Sequence, residues 1–299
     1  MTDDPPGGLA ADYSPAVGRL LGYGEPQRGS EWPDYVGEMG LTEADVPDLT
    51  RLLTDERIFS AASDSREVWA NMHAWRAIGQ LRAASAAGAL LEAAARCDEV
   101  GDDWFLAELP KVFTMIGPAA LGALEAYVAD TSHSEYARVC AIESMREIAK
   151  RHSVVQGRCI EALTKRLDVS SPNGYDANAF LAHALVELGA TGAATTIRHA
   201  YERGHVDESI FGTWQVIADE LGVEAGEPKG ANVRPSPPPG PGAPTSPPLP
   251  TATGRPGGRA PMAPTRPGGV SDAKARSRAR KKRRAARKDR ARNRKRKRR

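Results

Sequence analysis

Between Thr42 and Leu221 the apolar residues recur at the spacing of a helix and never at the alternation of a strand. Val46, Leu49 and Leu53 follow Thr42, a good N-cap, on one helical face. Val68, Met72, Trp75, Ile78 and Leu81 follow a start signal at Ser63, Asp64 and Ser65. A shorter Ala-rich helix is expected over Ala83 to Arg96. Asp102 and Asp103 then open a run bearing Phe105, Leu109, Val112, Phe113 and Ile116, interrupted by Pro110. Gly117 ends that run and Pro118 starts the next, the usual asymmetry of helix ends. Ser134 caps a long helix carrying Val139, Ile142, Met145 and Ile148, whose partner shows Cys159, Leu163 and Leu167. Leu181, Leu185 and Leu188 precede Gly189 and a helix with Ile197 and Tyr201, and a last helix holds Ile210, Trp214, Ile217 and Leu221.

Aligning the helix ends Ile78-Gly79, Ile116-Gly117, Ile148-Ala149 and Leu188-Gly189 yields intervals of 38, 32 and 40 residues. A degenerate period of that size, with two helices per period, predicts an all-α α-solenoid. One pair cannot bury its apolar face, so neighbouring pairs must stack. Trp75, Phe113, Ile148, Leu185 and Trp214 are the expected core.

Composition changes abruptly at Gly226. Residues 226–271 hold 14 Pro and 9 Gly, the signature of a linker that is partly polyproline II and partly flexible. From 272 to 299 the chain is Ala, Arg and Lys with little else. Its cations are Lys274, Arg276, Arg278, Arg280, Lys281, Lys282, Arg283, Arg284 and Arg287, then Lys288, Arg290, Arg292, Arg294, Lys295, Arg296, Lys297, Arg298 and Arg299. Against Asp272 and Asp289 these leave +16, while residues 226–271 carry +4. Residues 1–225 carry 18 basic and 35 acidic side chains, a net −17, so the overall +3 conceals an acidic body joined to a basic tail. The organisation expected is an N-terminal extension over 1–30, partly disordered, a helical repeat domain over 31–225, a disordered linker over 226–271 and the basic tail over 272–299. Too few apolar residues follow Gly226 for that part to offset the entropy of ordering.

Eighteen cations in 28 residues form a polyelectrolyte that releases counterions on meeting phosphates. The tail has no aromatic residue, so base stacking is excluded and nucleic-acid binding is expected to ignore sequence.

Other classes of activity find little support. Cys97, Cys140 and Cys159 are odd in number and widely spaced, which suits reduced buried thiols rather than a disulfide or zinc framework. The acidic N-terminus does not resemble a signal peptide, and no apolar run reaches the ~18–20 residues of a membrane span. A cytoplasmic protein without membrane contact is therefore expected. No Walker glycine loop, nucleophile elbow or zincin helix occurs, and no His/Cys/Asp/Glu set has ligand spacing on one helical face. No catalytic residue, cofactor, metal or small-molecule substrate is therefore assigned. His73 and His183 read as satisfied core histidines, and Asp98, Glu99, Asp102 and Asp103 as a solvated acidic loop between helices.

The segments REVWANMHAWRAIGQL, LAELPKVFTMIGPAALGALEAYVAD and AFLAHALVELGATGA resemble bacterial HEAT-like repeats of the phycobilisome-lyase type. The likeness runs from about Glu31 to Val223 and implies a fold more than an activity. Some such proteins end in a zinc-binding SEC-C motif of closely spaced cysteines, which is absent here after Cys159. Di-iron enzymes of this architecture carry His-Glu pairs, and none of the histidines here precedes a Glu. The expected function is a non-catalytic scaffold, its helical body binding protein and its tail tethering it to nucleic acid or a ribosome. One alternative is a tail that binds its own acidic body or an acidic partner, since a 46-residue flexible linker has a reach of about 35–40 Å. Another is an enzyme with an unrecognised site in the body.

Overall fold

A computed structural model describes residues 9–26, 31–62, 64–100, 103–170 and 172–226. Among them are 13 α-helices and no strand. Short helices come first: α1 (Pro15–Gly18), α2 (Val46–Leu53) and α3 (Glu56–Phe59). Four helix pairs follow. These are α4 (Ala70–Gln80) with α5 (Ala87–Val100), α6 (Asp103–Ile116) with α7 (Leu121–Ala129), α8 (Glu135–Arg151) with α9 (Gln156–Asp168), and α10 (Tyr175–Glu187) with α11 (Ala194–Glu202). The short α12 (Glu208–Phe211) and α13 (Trp214–Leu221) close the described part.

Contacts between elements sort these helices into two rows. In the first, α2, α4, α6, α8 and α10 each pack on the next, and α13 follows α10. In the second, α5, α7, α9 and α11 run in the same order. Each second-row helix leans on the next first-row helix along the chain: α5 on α6, α7 on α8, α9 on α10 and α11 on α13. One core results, with Trp75, Phe113, Ile148 and Leu185 each fully buried in it. Trp214 differs from expectation. It is only partly buried, its Nε1 donating to Ala225 O at 2.8 Å, and Ile217 takes the buried position.

Every second-row helix opens with a 3-10 turn: Ala84–Ala86, Pro118–Ala120, Ser153–Val155 and Thr191–Ala193. Measured on those turns the pairs repeat every 34, 35 and 38 residues, more evenly than the helix ends suggest. The difference lies in the connection. Leu81-Arg82-Ala83 and Leu188-Gly189-Ala190 close their helices with matching backbone bonds, Ala83 N to Ile78 O and Ala190 N to Leu185 O. Both central residues are left-handed, at φ 54° and 65°. Gly117 and His152 make shorter connections directly into the next turn.

Local chemistry explains how α8 lies at the centre. Ser134 Oγ accepts from Ala137 N, while Lys150 and Arg151 face the negative end of the helix dipole. Pro110 lacks the N–H that would bond Leu106 O, and the freed carbonyl instead accepts from the Cys140 thiol of α8 at 3.5 Å. Glu135 of α8 caps α10, its Oε1 accepting from Asp176 N and Ala177 N at 2.8 and 3.0 Å. Gly174 must be glycine there, because a Cβ would stand 2.3 Å from that oxygen and its φ is 96°. Gly79 faces α6 across the α4–α6 contact, where a Cβ would touch Val112 at 3.4 Å.

Part of the expected N-terminal extension belongs to the body. Val17, Leu20 and Leu21 are buried, Tyr13 OH donates to Asp55 Oδ2 at 2.5 Å and Ser14 Oγ to Asp45 Oδ1 at 2.8 Å. The acidic loop is also redrawn: Asp98 and Glu99 lie inside α5, Asp103 starts α6, and Asp102 is outside the described residues. All three cysteines are free and buried. No single helix among the described residues is long and apolar enough to cross a membrane.

Candidate functional site

All eighteen tail cations, Lys274 through Arg299, and the linker from residue 227 onward lie outside the described residues. The site that geometry can build is therefore on the body, beginning with how the body disposes of its own cations. Many are committed. Arg76 sends Nε and Nη2 to the Glu108 carboxylate at 2.8 and 2.5 Å, and the indole Nε1 of Trp75 adds a third donor at 3.2 Å. Burial works against the Arg76 charge, but hydrogen bonding and attraction to Glu108 outweigh it and raise its pKa. Arg146 is buried between Glu143 at 3.1 Å and Glu147 at 2.6 Å. Arg138 is buried on carbonyls, taking Val128 O, Asn173 O and Asn173 Oδ1 at 3.2, 2.9 and 3.0 Å. Burial and the nearby Arg166 lower its pKa.

The histidines follow the same pattern. His73 is buried with Nε2 bonded to Gly24 O at 2.8 Å and Nδ1 2.7 Å from Tyr35 OH. A carbonyl can only accept, so Nε2 carries the proton and Nδ1 receives the tyrosine hydroxyl. This is the neutral imidazole, and burial lowers its pKa accordingly. His183 stacks on Phe211 with centroids 3.9 Å apart, 3.5 Å from Arg146 Nη1. No group of three or more His, Cys, Asp or Glu side chains suited to a metal occurs among the described residues.

Three cations are arranged differently. The turns after α4, α6 and α8 lie side by side because these helices are consecutive in the first row. Between them opens a cleft of about 850 Å³, within the usual range of ligand pockets. Arg82 enters it from the turn after α4, Lys111 from α6, and Arg151 with His152 from the end of α8. Arg82, Lys111 and Arg151 are exposed, and Arg82 and Arg151 have no carboxylate within ion-pair distance among the described residues. Lys111 Nζ sits 3.8 Å from the centroid of the Trp32 ring, which also carries Arg76 at 5.0 Å. Ala107, Pro110, Met115, Ile116 and Pro118 form the apolar part of the wall. The carboxylate there, Glu147, is held from within by Arg146.

Sequence reasoning assigned nothing to Arg82, Lys111, Arg151 or His152, which come from separate helices spread over some seventy positions. A signal was present nonetheless. Arg82 and Arg151 each follow an aligned helix end, Ile78-Gly79 and Ile148-Ala149, by three and two residues. No family model matches the chain, and comparison with curated proteins and with solved structures returns no match either.

Proposed function

We propose that this protein is a non-catalytic scaffold, a HEAT-like α-solenoid whose body binds protein and whose tail holds it on RNA, DNA or a ribosome in the cytoplasm. One observation carries the reading: +16 is concentrated in residues 272–299, while residues 1–225 carry −17. The body resists a phosphate backbone and the tail attracts one, so binding to nucleic acid resides in the tail. The pairing of α4 with α5 through α10 with α11, and their even spacing, support the repeat assignment. The buried, unbridged thiols suit a reducing compartment.

Electrophoretic shifts with two unrelated sequences across a salt series test this. The full chain should bind both equally, with affinity falling roughly 10³–10⁵-fold between 50 and 200 mM salt if 6–10 phosphates are met. A chain ending at Gly226 should bind neither. Equal binding by that shorter chain, or affinity indifferent to salt, would remove the tail from the mechanism. The same charge separation favours a second reading, in which the tail rests on its own body. Crosslinks between tail and body that polyanion fails to displace would support it.

A further inference from the structure

At the turns after α4, α6 and α8 the acidic body presents Arg82, Lys111 and Arg151 over an apolar wall, two of them with no carboxylate within ion-pair distance among the described residues. We propose that this cleft binds a short extended peptide segment of a partner protein, acidic at its ends and apolar at its centre. This rests on reading the body as the protein-binding part of the scaffold, and it names the site and the chemistry of the partner.

The ligand class follows from the geometry. Arg82 and Arg151 flank α6 from the two helices packed on either side of it. Helices pack roughly 8–10 Å apart, so the two turns are roughly 16–20 Å apart. An extended chain covers that distance in about five or six residues. Its ends then meet Arg82 and Arg151, and its centre crosses Pro110, Met115 and Pro118. Guanidinium groups at both ends suit carboxylates, which they bind in bidentate fashion. Lys111 stands between them, and the one carboxylate in the lining, Glu147, has an oxygen tied to Arg146.

A nucleic-acid backbone fits less well. It gains nothing from the apolar wall, and no Phe, Tyr or Trp lines the cleft to stack a base. Trp32 nearby has Lys111 and Arg76 against its ring. A duplex would also meet the −17 of the surrounding body.

Methionine methyl resonances of the full chain provide the test, because Met115 lies in the cleft and Met145 in the core of α8. The probe is an eight-residue peptide with two glutamates at each end and leucines between them. A lysine-ended version and an RNA octamer serve as comparisons. The glutamate peptide should shift Met115 saturably at 150 mM salt. The exposed-site variant R82E/R151E should weaken that binding at least about tenfold, with Met145 unmoved as evidence of an intact fold. If only Met39 or Met72 responds, the body binds peptide elsewhere and the cleft assignment is wrong. If no methyl of the body responds, the cleft and its proposed ligand are both wrong, while the scaffold reading loses only this site. An equal response to the lysine-ended peptide, or to RNA, would overturn the proposed ligand class.

Discussion

Replacing Glu108 with Leu would remove the carboxylate that joins α4 to α6 and leave Arg76 with a buried guanidinium. The Arg76 side chain is only 3 % exposed, and that of Glu108 is 16 % exposed. Losing the partner of a buried charge costs about 3–5 kcal/mol, and the indole N–H of Trp75 loses its acceptor as well. The converse change, Arg76→Met, leaves a carboxylate with some access to water, so a smaller cost of about 2–3 kcal/mol is expected. If the two effects were independent, Arg76→Met with Glu108→Leu together would cost about 5–8 kcal/mol. Substituting both charges with apolar residues of similar volume should instead cost no more than about 2 kcal/mol, since neither leaves an unpaired ion behind. The coupling is thus about 3 kcal/mol or more. Urea unfolding followed by tryptophan fluorescence, with Trp75 itself in the network, measures all four corners of the cycle. In thermal melts Glu108→Leu should lower Tm by about 6–20 °C, and the double change by far less. Additive costs would show that the pair is not a coupled unit, and would refute the reasoning that burial makes each charge depend on the other.

Leu185→Ala should cost about 2–5 kcal/mol by calorimetry or urea unfolding, because the side chain is fully buried on α10. An unchanged denaturation midpoint would put that face of the helix outside the core. Arg82→Gly should stabilise the protein by about 0.5–1 kcal/mol. Arg82 is held at φ 54°, where a Cβ costs about 1–2 kcal/mol, and glycine's extra freedom in the unfolded chain returns part of the gain. Loss of stability in the same urea assay would overturn that account. The His73 pKa is lowered by burial from its ordinary 6.5, so the unfolded chain takes up the proton first. This contribution is complete above about pH 6.5 and declines as pH falls from there toward the folded pKa. His73→Gln, which retains a donor and an acceptor, should flatten the slope of stability against pH in that window. An unaltered slope would mean that His73 does not titrate on unfolding.

Much of the architecture was legible because helices are written in local periodicity. Trp75, Phe113, Ile148 and Leu185 sit on apolar stripes whose spacing alone places them inside, and the structure buries all four. Ser134 and Gly117 mark helix ends through their own hydrogen bonding and backbone freedom, again within a few residues. The charge contrast between residues 1–225 and 272–299 needs no folding to be read. What depends on distant parts of the chain was not legible in the same way. Trp214 lies on an apolar stripe, yet whether it is covered depends on where Ala225 returns. Arg82 takes a left-handed turn that glycine takes in the corresponding place, because the α4–α5 connection must close as the α10–α11 connection does. Glu108 reads as one acid among many until α6 is laid against Arg76 of α4. The cleft exists only because three turns, separated by some thirty-five residues each, are brought level by the stacking of α4, α6 and α8. Period and composition determine which residues turn inward and where the charge resides. The meeting of Arg82, Lys111 and Arg151 over an apolar wall is a property of the packing of helices, which no local pattern encodes.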